Sequence, residues 1–281
     1  MSDSDLPAVD HAVVAGADLD ALAAAFADAG LATEYGGEHS NGVTHNRTLG
    51  FGDGSYLELI STVEPGAESP WWNGPIHGDA GPCAWALPVE DIGAETERVA
   101  DLGVPVEGPD YYTRERPDGV TVEWDLTEVG ESLGATLPFF VADRTPREYR
   151  ITEAESVAGA GITGIAEVVV CVPALDGAVE RFASFFEADA PERTRHRGFG
   201  AALARFDGAP VTLAAPVDGE PGAWLRDRLD RFGPLPCAYL LGSDAPDATV
   251  ERVDAGDAGP WFDDEVRWVD LDVAGRVGVL G

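Results

Sequence analysis

Apolar runs bounded by turn residues alternate along this chain with stretches in which apolar residues recur every three or four positions. The first pattern predicts buried strands and the second predicts helices. The opening quarter reads as a strand over 9–15 and a helix over 18–30, with Leu19, Leu22, Ala23 and Phe26 on one face. Strands near 32–39, 45–51 and 55–62 follow. The same order then returns, with a strand at 82–89, a helix at 91–103 ended by Gly103 with Pro105 beyond it, and strands near 106–113, 120–126 and 136–142. A third round has a strand at 163–172, a helix at 175–187 and strands near 193–199, 201–206 and 209–215. After a short helix near 222–232 comes a compressed final round: a strand at 236–243, a short helix at 246–253 and a hairpin within Val266–Leu280.

These rounds pair into a duplication. Val9-Asp10-His11-Ala12-Val13-Val14 is matched by Ile165-Ala166-Glu167-Val168-Val169-Val170, and Pro82-Cys83-Ala84-Trp85-Ala86-Leu87 by Pro236-Cys237-Ala238-Tyr239-Leu240-Leu241. Two matches at nearly one spacing indicate a repeated unit. The expected organisation is a module pair over 1–142, a linker over 143–160 rich in Pro, Gly and charge, and a degenerate second pair over 161–281.

Charge changes the picture of the surface rather than of the fold. Of 281 residues 51 are acidic and 18 basic, every basic residue is arginine, and the formal charge is −33. With 44% hydrophobic residues the chain is too apolar to be a disordered acidic tail, so the carboxylates coat a folded core. This is the composition expected of a halophile's protein, since molar salt shortens the screening length to about 3 Å. Nucleic acid and anionic membranes are therefore poor partners for this surface, and the expected partner is a small-molecule substrate, with the chain a monomer or homodimer. Met1-Ser2-Asp3-Ser4-Asp5 lacks the basic start and apolar stretch of a signal peptide. Cys83, Cys171 and Cys237 lie in apolar runs without CxxC spacing, which points to reduced thiols and a cytoplasmic location.

Candidate chemistry begins with His11 and Glu58. Each stands mid-strand among apolar residues, where a polar group is costly unless paired. Either a divalent metal holds both, or they are a satisfied core histidine and a locally bonded glutamate. Glu123 lies in the alternating run Thr121-Val122-Glu123-Trp124-Asp125, which places it on one polar face with Thr121 and Asp125. Trp71 and Trp72, in the Pro- and Gly-rich stretch from Pro65 to Pro82, either form an aromatic lid or pack a long loop. Arg193, Arg195, His196 and Arg197 form a basic cluster best read as salt-bridge partners for nearby acids. There is no P-loop, no GxGxxG after a strand and no GxSxG.

Four consecutive βαβββ modules resemble the vicinal oxygen chelate superfamily, which includes glyoxalases, bleomycin resistance proteins and extradiol dioxygenases. Within it the first half resembles a glyoxalase-like domain, through Asp10-His11, Gly36-Gly37-Glu38-His39, Thr44-His45-Asn46, Tyr56-Leu57-Glu58-Leu59-Ile60, Pro117-Asp118-Gly119 through Trp124, and Leu137-Pro138-Phe139-Phe140. The resemblance implies an α+β fold of two paired-module halves, each pair enclosing a cleft. It nominates His11, Glu58, Cys83 and Glu123 as ligands of a divalent metal (Zn, Fe, Mn, Co or Ni), with Glu58 or Glu123 as general base if free of the metal. It also places His39 and Asn46 in the cleft with substrate, beside Trp71 and Trp72. The repeat weakens Cys83, because Cys237 recurs where the companion positions, taken as Glu167, Thr212 and Val279, make no comparable site. The implied activity is isomerase or lyase chemistry on a small substrate with vicinal oxygens, or oxygenation if the metal is iron. A metal-free binding or resistance protein is the alternative.

Overall fold

A computed structural model describes residues 8–281, so the acidic Met1–Asp5 segment lies outside the described residues. The first half runs β1 (His11–Ala15), α1 (Leu19–Asp28), β2 (Glu34–Glu38), β3 (Thr44–Gly50), β4 (Tyr56–Thr62), α2 (Asn73–His77), β5 (Gly81–Pro88), α3 (Ile92–Asp101), β6 (Val106–Glu115), β7 (Thr121–Val129) and β8 (Phe139–Asp143). After α4 (Arg147–Arg150) the second half runs β9 (Ile162–Cys171), α5 (Leu175–Phe186), β10 (Glu192–His196), β11 (Ala201–Arg205), β12 (Val211–Pro216), α6 (Ala223–Phe232), β13 (Leu235–Ser243), α7 (Pro246–Val250), β14 (Gly259–Trp261), β15 (Asp264–Trp268) and β16 (Arg276–Leu280). Each half is one eight-stranded sheet. Their orders, β2-β3-β4-β1-β5-β8-β7-β6 and β10-β11-β12-β9-β13-β16-β15-β14, correspond strand for strand.

Local chemistry sets the elements. Asp18 caps α1 by accepting from the amides of Asp20 and Ala21, and Leu19, Leu22 and Phe26 bury one face of that helix. The central strands β1 and β4 are buried along their whole length, which is why they read as apolar runs rather than as alternations. Alternation still decides direction. Ala12, Val14, Leu57 and Leu59 enter the large core shared with α1, α5 and the second half, whereas Val13, Ala15 and Ile60 face a smaller cluster lining a cleft. The first sheet curls until its edges touch, with His39, just beyond β2, bridging Arg114 of β6.

The repeat is exact in register at the centre. His11 opposes Ala86 across β1 and β5, and Glu167 opposes Leu240 across β9 and β13. Val13 opposes Glu58, and Val169 opposes Thr212. Glu167 and Thr212 are thus the counterparts of His11 and Glu58. Val279 is not the counterpart of Glu123, because it lies on β16, which corresponds to β8 rather than to β7.

Cys83 and Cys237 each fall at a register shift, between Pro82 and Ala84 in one half and between Pro236 and Ala238 in the other. Each is the extra residue of a β-bulge, a place where a small apolar side chain packs well. The halves are fastened at the first bulge. The amide of Cys83 donates to the Tyr239 hydroxyl at 3.1 Å, and that hydroxyl lies 2.7 Å from the Val13 carbonyl and 2.8 Å from that of Ala84. Buried Arg228 donates to the carbonyls of Ala80 and Pro82 in the first half and of Pro236 in the second. No helix among the described residues is long and apolar enough to cross a membrane.

Candidate functional site

The concave face of the first sheet forms a partly open cavity. One wall is polar, with His11, His39, Asn46 and Glu58. Aromatic residues complete much of the lining, with Trp71, Trp72, Tyr112, Trp124 and Phe139, and Arg114 and Arg150 border the cavity as well.

Strand geometry explains the polar wall. On β1 and β4, His11 and Glu58 point the same way as Val13 and Ile60, and the parallel register leaves His11 Nε2 3.6 Å from Glu58 Oε2. From β3, Asn46 donates its amide to Glu58 Oε1 at 2.6 Å. His39 Nε2 lies 3.2 Å from the same oxygen, and its Nδ1 is 2.9 Å from Thr44 Oγ1. The tautomer that fits carries the proton on Nε2, donates it to Glu58 and accepts from the Thr44 hydroxyl. Burial raises the Glu58 carboxyl's affinity for a proton, but hydrogen bonding and charge from His39 and His11 outweigh it and bring the pKa down to about 2. Glu58 is therefore ionised at every physiological pH.

His11 is held from behind. Its Nδ1 donates to Asp10 Oδ1 at 2.6 Å, and its ring stacks on Tyr56 with centroids 4.7 Å apart. Asp10 is fully buried, and both of its oxygens accept from Arg150 at 2.7 Å, with Arg147 donating to Oδ2 at 2.8 Å. Burial raises the Asp10 pKa, but Arg150 and His11 prevail and hold it well below the usual carboxylate range. Both arginines sit on α4, inside the segment read as a linker, so residues 143–160 contribute directly to the site. With Nδ1 committed to Asp10, His11 presents Nε2 to the cavity.

Of the nominated residues, the structure brings together His11, His39, Asn46, Glu58, Trp71 and Trp72. Trp71 packs edge-on against His39 at 5.4 Å, and the Trp72 indole donates to the Leu133 carbonyl at 2.8 Å. Glu123 is not among them. Alternation on β7 turns Trp124 and Leu126 into the cavity and Glu123 to the opposite side, where it accepts from the exposed Tyr111 hydroxyl. Cys83 lies in the apolar cluster beneath the cavity without lining it, and burial pushes its thiol pKa upward, so it supplies no ready thiolate. His45, adjacent to Asn46 on β3, is likewise not on the cavity wall. In the basic cluster, Arg193 pairs with Asp176 and His196 Nε2 bonds the Pro260 carbonyl.

The residues that sequence reasoning missed are Asp10, Tyr56, Tyr112, Arg114, Trp124, Phe139 and Arg150. One signal for Arg114 was present. Gly36 has no side chain because a Cβ there would overlap Asn46 and Arg114, whose guanidinium bonds the Gly36 carbonyl, and Gly37 takes φ +114°.

A divalent metal fits this donor set poorly. Among the described residues no three His, Cys, Asp or Glu side chains are placed to share an ion. Two of the four nominated ligands face elsewhere, and Glu58 Oε1 already accepts from Asn46 and His39.

In the second half the counterpart position is filled from within. Trp261 donates to Glu167 at 2.9 Å, and the Arg276 guanidinium lies 5.0–5.3 Å from the rings of Phe199, Trp224 and Trp268.

Among solved structures, a hypothetical protein from Staphylococcus aureus aligns with a TM-score of 0.63 at 14% identity, over 96% of this chain and 98% of that one. A mutant of 4-hydroxymandelate synthase from Streptomyces coelicolor gives 0.59 at 12% identity, over 97% and 91%. The Mn(II)-bound glyoxalase from Novosphingobium aromaticivorans gives 0.53 at 12%, over 96% and 79%. At these identities the likeness is one of fold, that of the vicinal oxygen chelate superfamily. No curated protein matches the chain. A family profile described as "Glyoxalase-like domain" matches residues 9–186, more than half of the sequence and every residue of the cavity wall, and the chain belongs to that family.

Proposed function

We propose that the first-half cleft is an acid–base active site in which His11 moves a proton on a small substrate bearing vicinal oxygens, giving isomerase or lyase chemistry. One observation carries this reading: a buried imidazole with Nδ1 on a buried carboxylate and Nε2 facing a cavity, 3.6 Å from a second buried carboxylate. His11 Nε2 takes a proton from carbon next to a carbonyl, and the electron pair moves onto the carbonyl oxygen. Asp10 fixes the tautomer, and the imidazolium gains Glu58 as a partner, as in other base–orienter arrangements. The same imidazolium returns the proton to the neighbouring atom, so the step is redox-neutral. No step is routed through a metal, because the donor set fits one poorly.

The aromatic lining supports a second reading, a binding or resistance protein that holds an apolar ligand without turnover. Deuterium incorporation from D₂O into a panel of small 2-oxo and 2-hydroxy carbonyl compounds, followed by NMR in molar KCl, separates the two. The proposal expects exchange that falls roughly 100-fold or more in His11→Gln and Glu58→Gln. Undiminished exchange in His11→Gln overturns it, as does exchange that disappears with chelation and tracks a stoichiometric metal. Binding without any exchange favours the second reading.

A further inference from the structure

We infer that the ligand of this cleft is an anion with an apolar, preferably aromatic, body, and that Arg114 receives its charge. The inference rests on the reading of the cleft as a substrate site and names the class of molecule that fills it. Charge accounting along the polar wall leads to Arg114. Glu58 accepts hydrogen bonds from His39 and Asn46, and Arg150 is paired with Asp10 and Asp143. Arg114 is 6% exposed, yet no carboxylate among the described residues pairs with it. Its guanidinium donates only to neutral acceptors, the carbonyls of Gly36 and Arg150 and the Asn46 side-chain oxygen.

A buried guanidinium bonded only to neutral oxygens, with Glu58 reached only through Asn46, can still meet an anion strongly through a charge-assisted hydrogen bond. Three other buried or half-buried arginines also lack carboxylates among the described residues, but none borders this cavity: Arg47 bonds the Thr33 hydroxyl and carbonyl, Arg228 holds three carbonyls between the halves, and Arg276 sits among three aromatic rings. Arg114 instead borders open volume. A second cavity that Arg114 borders also has Glu34 and Asp118 on its wall and disfavours an anion. The front cavity offers Trp71, Trp72, Tyr112 and Trp124 for an apolar body, and its one acid, Glu58, already accepts from His39 and Asn46.

The test is calorimetric titration in KCl with 3-phenylpropanoate, its neutral amide, 3-phenylpropylammonium and inorganic phosphate. The carboxylate is expected to bind at least about tenfold more tightly than the amide. That preference should vanish in Arg114→Met, with amide binding retained, and survive in part in Arg114→Lys. Equal binding of carboxylate and amide by the wild-type protein overturns the inference whether or not a variant folds. Preferred binding of the ammonium overturns it too, and so does phosphate binding as tightly as the aromatic carboxylate. Because calorimetry needs no turnover, its outcome separates from the D₂O experiment. Exchange without charge preference removes this inference alone, and preference without exchange removes the proton-transfer reading alone.

Discussion

Asp10→Asn is the most informative single change to the site's support, because it keeps shape while removing one charge from a buried cluster. Asp10 is 0% exposed and accepts from Arg150 through both oxygens, from Arg147 and from His11. Removing one member of a buried ion pair costs about 3–5 kcal/mol, since the partner charge is left without compensation. Arg150 keeps Asp143, with Nε 2.8 Å from its carboxylate, so the lower end, about 3 kcal/mol, is expected. That is a large part of a typical stability of about 5–15 kcal/mol. The control is Asp125→Asn, which breaks the pair with the half-exposed Arg144 and should cost under about 1 kcal/mol. Denaturant unfolding of both variants and the wild type in molar KCl supplies the comparison. Acid provides a second axis. The depressed Asp10 pKa means that its stabilisation is complete above the unfolded-state value near 3.9 and is lost as pH falls through the lower folded-state value. Asp10→Asn should therefore flatten the acid limb of the stability profile. A loss no greater than that of Asp125→Asn, with an unchanged acid limb, would refute the assignment of Asp10 and Arg150 as the site's anchor.

Other expectations follow from single features. Burial raises the Glu167 pKa to about 7 against the opposing bonds from Trp261 and Thr212, so the folded state holds a proton that the unfolded state releases. Wild-type stability should fall by roughly 3 kcal/mol from pH 4.5 to 7, and Glu167→Gln should remove that slope in urea titrations. Cys83→Ala should shift stability by under about 2 kcal/mol and leave D₂O exchange intact, while the native thiol resists Ellman's reagent until unfolding. A large loss of exchange in Cys83→Ala would return the thiol to the site. With −33 formal charge, the thermal midpoint should rise steeply from dilute buffer to molar KCl but little with an uncharged osmolyte. An unchanged midpoint in KCl would refute the halophilic reading.

What the sequence revealed depended on whether a residue's neighbours in the chain were also its neighbours in space. His11 and Glu58 stood out because apolar residues flank them within their own strands, and the repeat made their counterparts Glu167 and Thr212 readable. His39 and Asn46 came from a local glycine-rich motif. Arg114 did not, because it reaches the polar wall only when the sheet curls and β6 meets the chain just beyond β2. Arg150 was hidden for another reason. A short segment with mixed charge looks like a linker unless the buried acid it serves, here 140 residues away, is already known. Glu123 shows that alternation can outweigh motif matching, since the polar face read from its neighbours is the face it occupies.

The Tyr239 hydroxyl, seated in the bulge beside Cys83, gives the second copy a task of its own. In the second copy Trp261 bonds Glu167 and Arg276 packs among Phe199, Trp224 and Trp268, while the first copy carries the cavity. A protein arranged this way separates the reservoir of stability from the place where chemistry is tried. Substitutions around the open cleft then draw on a margin set largely by residues that never meet a ligand. Such a chain has unusual freedom to exchange one substrate for another without losing its fold.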